Sequence, residues 1–101
     1  MGGISIVAKR LKEARLKAGI SQNQLGIQAG IDEFSASPRI NQYERGKHMP
    51  DLQTLTRLAA VVQVPVPYFY CEDADLAVVI VKFSALPKAQ RRRFLGLLED
   101  L

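Results

Sequence analysis

The chain has 101 residues, 48% of them apolar, and 14 lysines and arginines against 10 aspartates and glutamates, a formal charge of +4. That length suits one domain with a modest core and leaves no room for a separate ligand-binding domain. A single cysteine, Cys71, excludes an intramolecular disulfide and a cysteine metal centre, and no apolar run approaches bilayer-spanning length.

The charge is unevenly placed. Residues 1–50 hold 8 basic and 4 acidic side chains, residues 51–71 one of each, and residues 72–101 five of each. The whole excess therefore lies in the N-terminal half, which suits a polyanionic partner. No signal-peptide pattern opens the chain, and the lone cysteine fits a reducing compartment, so a cytoplasmic location is expected.

Residues 1–5 read as a frayed end. From Ile6, Val7, Leu11, Ala14 and Ala18 recur at helical spacing, with Lys9, Arg10, Lys12, Glu13 and Lys17 on the other faces. This is an amphipathic helix stopped by Gly19, its basic face a solvated surface, with phosphate contact as the alternative. A second helix opens at Ser21, whose hydroxyl can accept from the Gln24 backbone while Gln24 reaches back to form a capping box. Leu25 and Ala29 give it a narrow apolar stripe, and Gly30 ends it.

Ser37 before Pro38 reads as the N-cap and first residue of a third helix, ended by Gly46. At about 100° per residue, Ile40, Tyr43 and Glu44 share the inner face, while Pro38, Asn41, Gln42 and Arg45 face outward. An outer face of amides and an arginine can bond base edges and phosphates. Lys47, His48 and Met49 form a loop. A fourth helix then starts at Asp51 as N-cap, with Leu52, Leu55, Leu58, Ala59 and Val62 as its core stripe and Gln63 as its end. The prolines at 65 and 67 force an extended connection into an aromatic turn, Tyr68, Phe69 and Tyr70, expected in the core.

Glu72, Asp73 and Asp75 favour a helix N-terminus through the helix dipole. The apolar run Leu76–Phe83 that follows is rich in β-branched residues, which favours a strand. The acidic cap and the lack of any partner strand favour a helix, and a helix is expected. Pro87 opens a last helix with Phe94, Leu97, Leu98 and Leu101 as a stripe and Arg91, Arg92 and Arg93 as a basic patch, read as solvated surface with DNA backbone contact as the alternative. No glycine-rich phosphate loop or metal-ligand spacing occurs, and the one histidine, His48, has no catalytic companion in sequence. Neither enzymatic activity nor a metal or cofactor is expected.

Arg15, the opening Ser21-Gln22, the run Tyr43-Glu44-Arg45-Gly46-Lys47 and then Pro50-Asp51-Leu52 stand in the order and spacing of a known family. Over residues 7–70 the chain resembles the phage repressor/Cro-like helix-turn-helix family, also called the xenobiotic-response-element type. The segment Ile31–Pro38 is longer than that family's tight turn and reads as an insertion ahead of the recognition helix. The resemblance implies an all-α fold: a five-helix DNA-binding domain over residues 1–71, with one or two further helices over 72–101. It implies a transcriptional regulator, a repressor by analogy, whose partner is double-stranded DNA. It also implies an ion pair between Arg15 and Glu44, since a carboxylate on the inner face is expensive without a cation. Gln42, Asn41, Arg39 and, more weakly, Ser37 are the expected base contacts, and Gln22, Asn23, Arg45 and Lys47 the phosphate contacts.

A C-terminal helix apolar nearly all round needs burial. A second copy of the chain in a two-fold homodimer would provide it, and would place two recognition helices on a palindrome. Folding back onto the chain's own core is the alternative. Rivals for the function are a protein-interaction adaptor on the same fold and an antitoxin or restriction-controller role.

Overall fold

Side-chain caps open the second, fourth and fifth helices of this chain, while the third and the last begin without one. The computed structural model describes residues 2–101, with side chains from residue 6 onward. The order is α1 (Gly2–Ala18), α2 (Gln22–Gln28), α3 (Ala36–Glu44), α4 (Leu52–Val62), a 3₁₀ turn (Val66–Tyr70), α5 (Ala74–Ala85) and α6 (Lys88–Glu99), with no strand among the described residues. Backbone of the expected frayed end is helical from Gly2; Met1 and the side chains before Ile6 lie outside the described residues.

The capping box forms. Gln24 N–H donates to Ser21 Oγ at 3.0 Å and Ser21 N–H to Gln24 Oε1 at 2.8 Å. Thr54 N–H donates to the Asp51 carboxylate at 2.8 Å to open α4, and Leu76 N–H to Asp73 at 3.0 Å to open α5. Each cap satisfies an otherwise orphaned donor. Gln63 ends α4 in the left-handed region at φ 60°, and there its N–H donates to Ala59 O.

Val7, Leu11, Leu25, Ile40, Leu55, Leu58 and Phe69 are fully buried and join α1, α2, α3, α4 and the 3₁₀ turn in one core. Burying such a side chain contributes roughly 1.5–3 kcal/mol, so this cluster holds the five elements together. Two expected stripe residues lie outside it. Ala18 is exposed at the last turn of α1, and Leu52, the first residue of α4, is exposed beyond the edge of the core.

Arg10 departs most from expectation. It is not on a solvated face but 4% exposed. Its Nε donates to Cys71 O at 2.8 Å, its Nη2 to Glu72 O at 3.0 Å and its Nη1 to Glu13 at 2.9 Å, while the guanidinium lies 5.8 Å from the Tyr68 ring centroid. Carbonyls left free past the 3₁₀ turn take its donors, and the ring covers its flat face.

The apolar run 76–83 is helix, as α5. Asp73 caps it, and the strand alternative would have left its backbone groups without a ladder. Ala77 is its buried residue, and α6 has none. The two helices meet at one corner, where Phe83 and Phe94 rings sit 5.8 Å apart. There Arg91 stacks 5.2 Å from the Phe83 centroid and donates to Ser84 O at 2.6 Å and Leu86 O at 3.2 Å. Arg91 thus closes the C-terminus of α5, while Arg92 and Arg93 are exposed. A groove of about 740 Å³ separates α5 from α1 and α4, lined by Ala14, Lys17, Val61, Val64, Val78 and Val81 among others. The molecule is elongated, 51 × 29 × 22 Å.

Candidate nucleic-acid interface

The crossing of α2 and α3 builds the surface. Gly26 lies on the inner side of α2, and a Cβ there would fall 2.6 Å from Ala36 Cβ and 3.0 Å from Ala36 O. Only glycine allows the first turn of α3 to approach so closely. This contact explains a boundary that capping misplaced. The helix begins at Ala36 rather than Pro38, with Ser35 as N-cap making no side-chain cap bond, because burying Ala36 against Gly26 fixes the first turn. Ser37 is therefore a half-buried residue within the helix and not its cap. Pro38 still lies in the first turn, where its missing N–H is harmless.

From there α3 divides cleanly. Ala36, Ile40 and Tyr43 are buried, while Pro38, Arg39, Gln42 and Arg45 are exposed. Lys47 is exposed just past the helix, as is Asn23 at the start of α2. Two of the expected contact residues are instead engaged inside the protein. Gln22 Nε2 donates to Asn41 Oδ1 at 3.3 Å and to Glu44 Oε1 at 3.1 Å, which uses both of its amide hydrogens. Asn41, half-buried, keeps its own NH₂ free to donate.

Beneath this layer lies the ion pair. Arg15 Nε donates to Glu44 Oε2 at 2.6 Å and Nη2 to Oε1 at 3.1 Å, a fork geometry, while Nη1 donates to Ile20 O at 3.0 Å. The Arg15 and Glu44 side chains are 10% and 2% exposed. A charge-assisted pair of this geometry joins α1 to the C-terminal turn of α3, and Gln22 extends it to α2. The outer face of α3 thus stands on three helices tied at one carboxylate. Sequence reasoning placed Arg15 and Glu44 but missed the bridging amide. The only available signal was that Gln22, Asn41 and Glu44 carry complementary donors and acceptors, which spacing alone cannot bring together. Among the described residues no group of histidine, cysteine, aspartate or glutamate could hold a metal ion, and no helix is long and apolar enough to cross a membrane. His48 is exposed in its loop.

A short helix set across a second by a glycine contact, with an outward face of arginines and glutamine, defines a helix-turn-helix DNA-binding module. The helix-turn-helix family model matches residues 11–69, and the chain belongs to that family, the repressor/Cro-like group of transcriptional regulators, which are not enzymes. The chain is 34% identical over 67 residues to the HTH-type transcriptional regulator ImmR of Bacillus subtilis (strain 168), a match covering 66% of this chain and 50% of that protein. It thus spans about half the length of that curated relative. Its structure is similar to the crystal structure of the transcriptional regulator BswR, with a TM-score of 0.87, 48% identity and 93% of each chain covered. At that coverage the likeness reaches into α5 and α6, beyond the family match.

Proposed function

We propose that the chain is a cytoplasmic transcriptional repressor that binds a palindromic operator as a homodimer, with residues 1–71 as the DNA-binding domain and 72–101 as the dimerisation element. The observation that carries the DNA-binding part is the outward row of α3, where Arg39, Gln42 and Arg45 are exposed on a helix anchored from behind by Arg15 and Glu44. Gln42 reads a base edge through a bidentate amide contact, with Arg39 and the free NH₂ of Asn41 beside it. Ser37, half-buried, has the weakest claim among the base contacts. Asn23, Arg45 and Lys47 hold phosphates. Gln22 keeps a positioning role, because a phosphate contact by its amide would break the bridge to Asn41 and Glu44.

The dimer is supported by the apolar side chains that α5 and α6 leave in solvent, Leu76, Val78, Val79, Leu95, Leu97 and Leu98. Six exposed apolar side chains on two consecutive helices suit an interaction site, and a two-fold interface would cover both copies at once. Two recognition helices about 34–36 Å apart would then meet successive major grooves.

Selection of bound fragments from random duplex DNA, at two salt concentrations, tests the proposal. An enriched palindrome whose binding falls steeply with salt is the expected result. An enriched single half-site removes the dimer and keeps the DNA reading. Absence of any salt-sensitive binding removes the DNA reading and leaves the adaptor role.

A further inference from the structure

The turn between α2 and α3 is ordered by its own hydrogen bonds. Ile31 N–H donates to Gly26 O and Ser35 N–H to Asp32 O, both at 2.9 Å, and Phe34 N–H donates to the Asp32 carboxylate at 3.1 Å. The backbone is held, yet the Phe34 ring is 85% exposed. Isolated exposed apolar residues are common on protein surfaces, so exposure alone means little. The register of Phe34 is what distinguishes it.

Ser35 already has right-handed helical angles, φ −105° and ψ −10°, so the chain enters α3 without a sharp change of direction. Residues four apart on such a path share a face. Counting back from Gln42 gives Pro38 and then Phe34, and all three are exposed while Ala36, Ile40 and Tyr43 are buried behind them. Phe34 lies in the turn two residues ahead of α3 and adds an exposed ring before Pro38 and Gln42. It does so at the N-terminal end of α3, the end that meets base edges in a helix-turn-helix complex.

The chemistry narrows what the ring can meet. Phenylalanine offers no donor to a phosphate, and Asp32 and Glu33 beside it carry negative charge that repels the backbone. Any contact this turn makes with the duplex therefore falls on base edges rather than on a strand. The apolar group displayed on the floor of the major groove is the thymine C5-methyl, and aromatic rings are among the side chains that contact it.

Resting on the DNA-binding reading above, we infer that Phe34 is a specificity-determining residue whose ring packs on a thymine methyl beside the bases read from Gln42. The insertion before α3 lengthens the recognition surface by one apolar contact.

Parallel selections with the wild-type chain and Phe34→Ala provide the test, followed by duplexes in which the implicated thymine is replaced by deoxyuridine. The expected result is loss of the thymine preference at that one position in Phe34→Ala, with the Gln42-dependent preference retained. Deoxyuridine should weaken wild-type binding about three- to fivefold, the worth of one methyl removed from water, and leave the variant unaffected. The ring contributes nothing to the core, so unchanged helical circular dichroism is expected and serves as the folding control. If Phe34→Ala selects the same sequence with the same affinity, or weakens all sequences equally, the inference is overturned while the DNA-binding reading stands. If the wild-type chain selects no DNA, both are overturned.

Discussion

Arg15 and Glu44 lie 29 positions apart in the chain and meet through two hydrogen bonds, Nε to Oε2 at 2.6 Å and Nη2 to Oε1 at 3.1 Å. Both side chains are nearly excluded from water. Removing one partner of such a pair strands the other charge, which costs about 3–5 kcal/mol. Glu44→Ala should therefore lower the unfolding free energy by about 3 kcal/mol or more, measured by urea denaturation at neutral pH. A change below about 1 kcal/mol would show that the pair is screened as surface pairs are.

Gly26→Ala sets two effects against each other. Alanine favours a helix interior over glycine by about 1 kcal/mol. Against that, the added Cβ would sit 2.6 Å from Ala36 Cβ and 2.9 Å from its Cα. Backbone cannot yield as a flexible side chain can, so a net loss of about 1–3 kcal/mol is expected. Operator affinity should fall with it, because α3 must move off α2. A stabilised variant with full DNA affinity would contradict this account of the crossing.

Gln42→Ala should relax preference at one base pair per half-site, costing about 1–3 kcal/mol on the preferred duplex and little on unrelated sequences. Competition binding against single-position operator variants measures it. Equal loss on every sequence would mean that Gln42 acts on the backbone and not on a base.

Leu97 and Leu98 are exposed on α6, a helix that buries no residue. The double substitution Leu97→Glu, Leu98→Glu should leave thermal stability of the monomer unchanged and shift the sedimentation coefficient from dimer to monomer. A dimer that survives both changes would place the interface elsewhere.

The Asp51 carboxyl is held below its ordinary value of 3.8, first by the Thr54 backbone N–H that donates to it, with the charge of Arg57 assisting. A group whose folded-state pKa is lowered stabilises the fold above its unfolded value and loses that contribution as pH falls through the folded one. Acid titration of stability should therefore show a component between 3.8 and the lower folded value, absent in Asp51→Asn. An unchanged acid profile in that variant would refute the assignment.

Local chemistry was legible in the sequence at most helix ends, the Ser37 signal excepted. The Ser21–Gln24 box, the Asp51 and Asp73 caps and the glycine stops all form as spacing requires. Most of the two faces of α3 also followed from periodicity, since Ile40 and Tyr43 are buried and Pro38, Gln42 and Arg45 exposed, whereas Asn41, expected outward, is half-buried. Arg15 and Glu44 were reachable only through the family resemblance, because no periodicity joins positions on different helices.

What the sequence by itself determined, then, was an all-helical chain with a basic N-terminal half and a helix whose exposed row suits DNA. Tertiary structure alone decided where that helix starts, since Ala36 had to meet Gly26 and a nearer capping signal at Ser37 lost to that contact. It also buried Arg10, whose donors satisfy carbonyls 61 and 62 residues away, and tied Gln22 to Asn41 and Glu44. The physical reason is common to all three. A cap or stripe is set by neighbours along one helix, whereas the burial of a polar group depends on which unpaired partners the packing of other helices brings within reach.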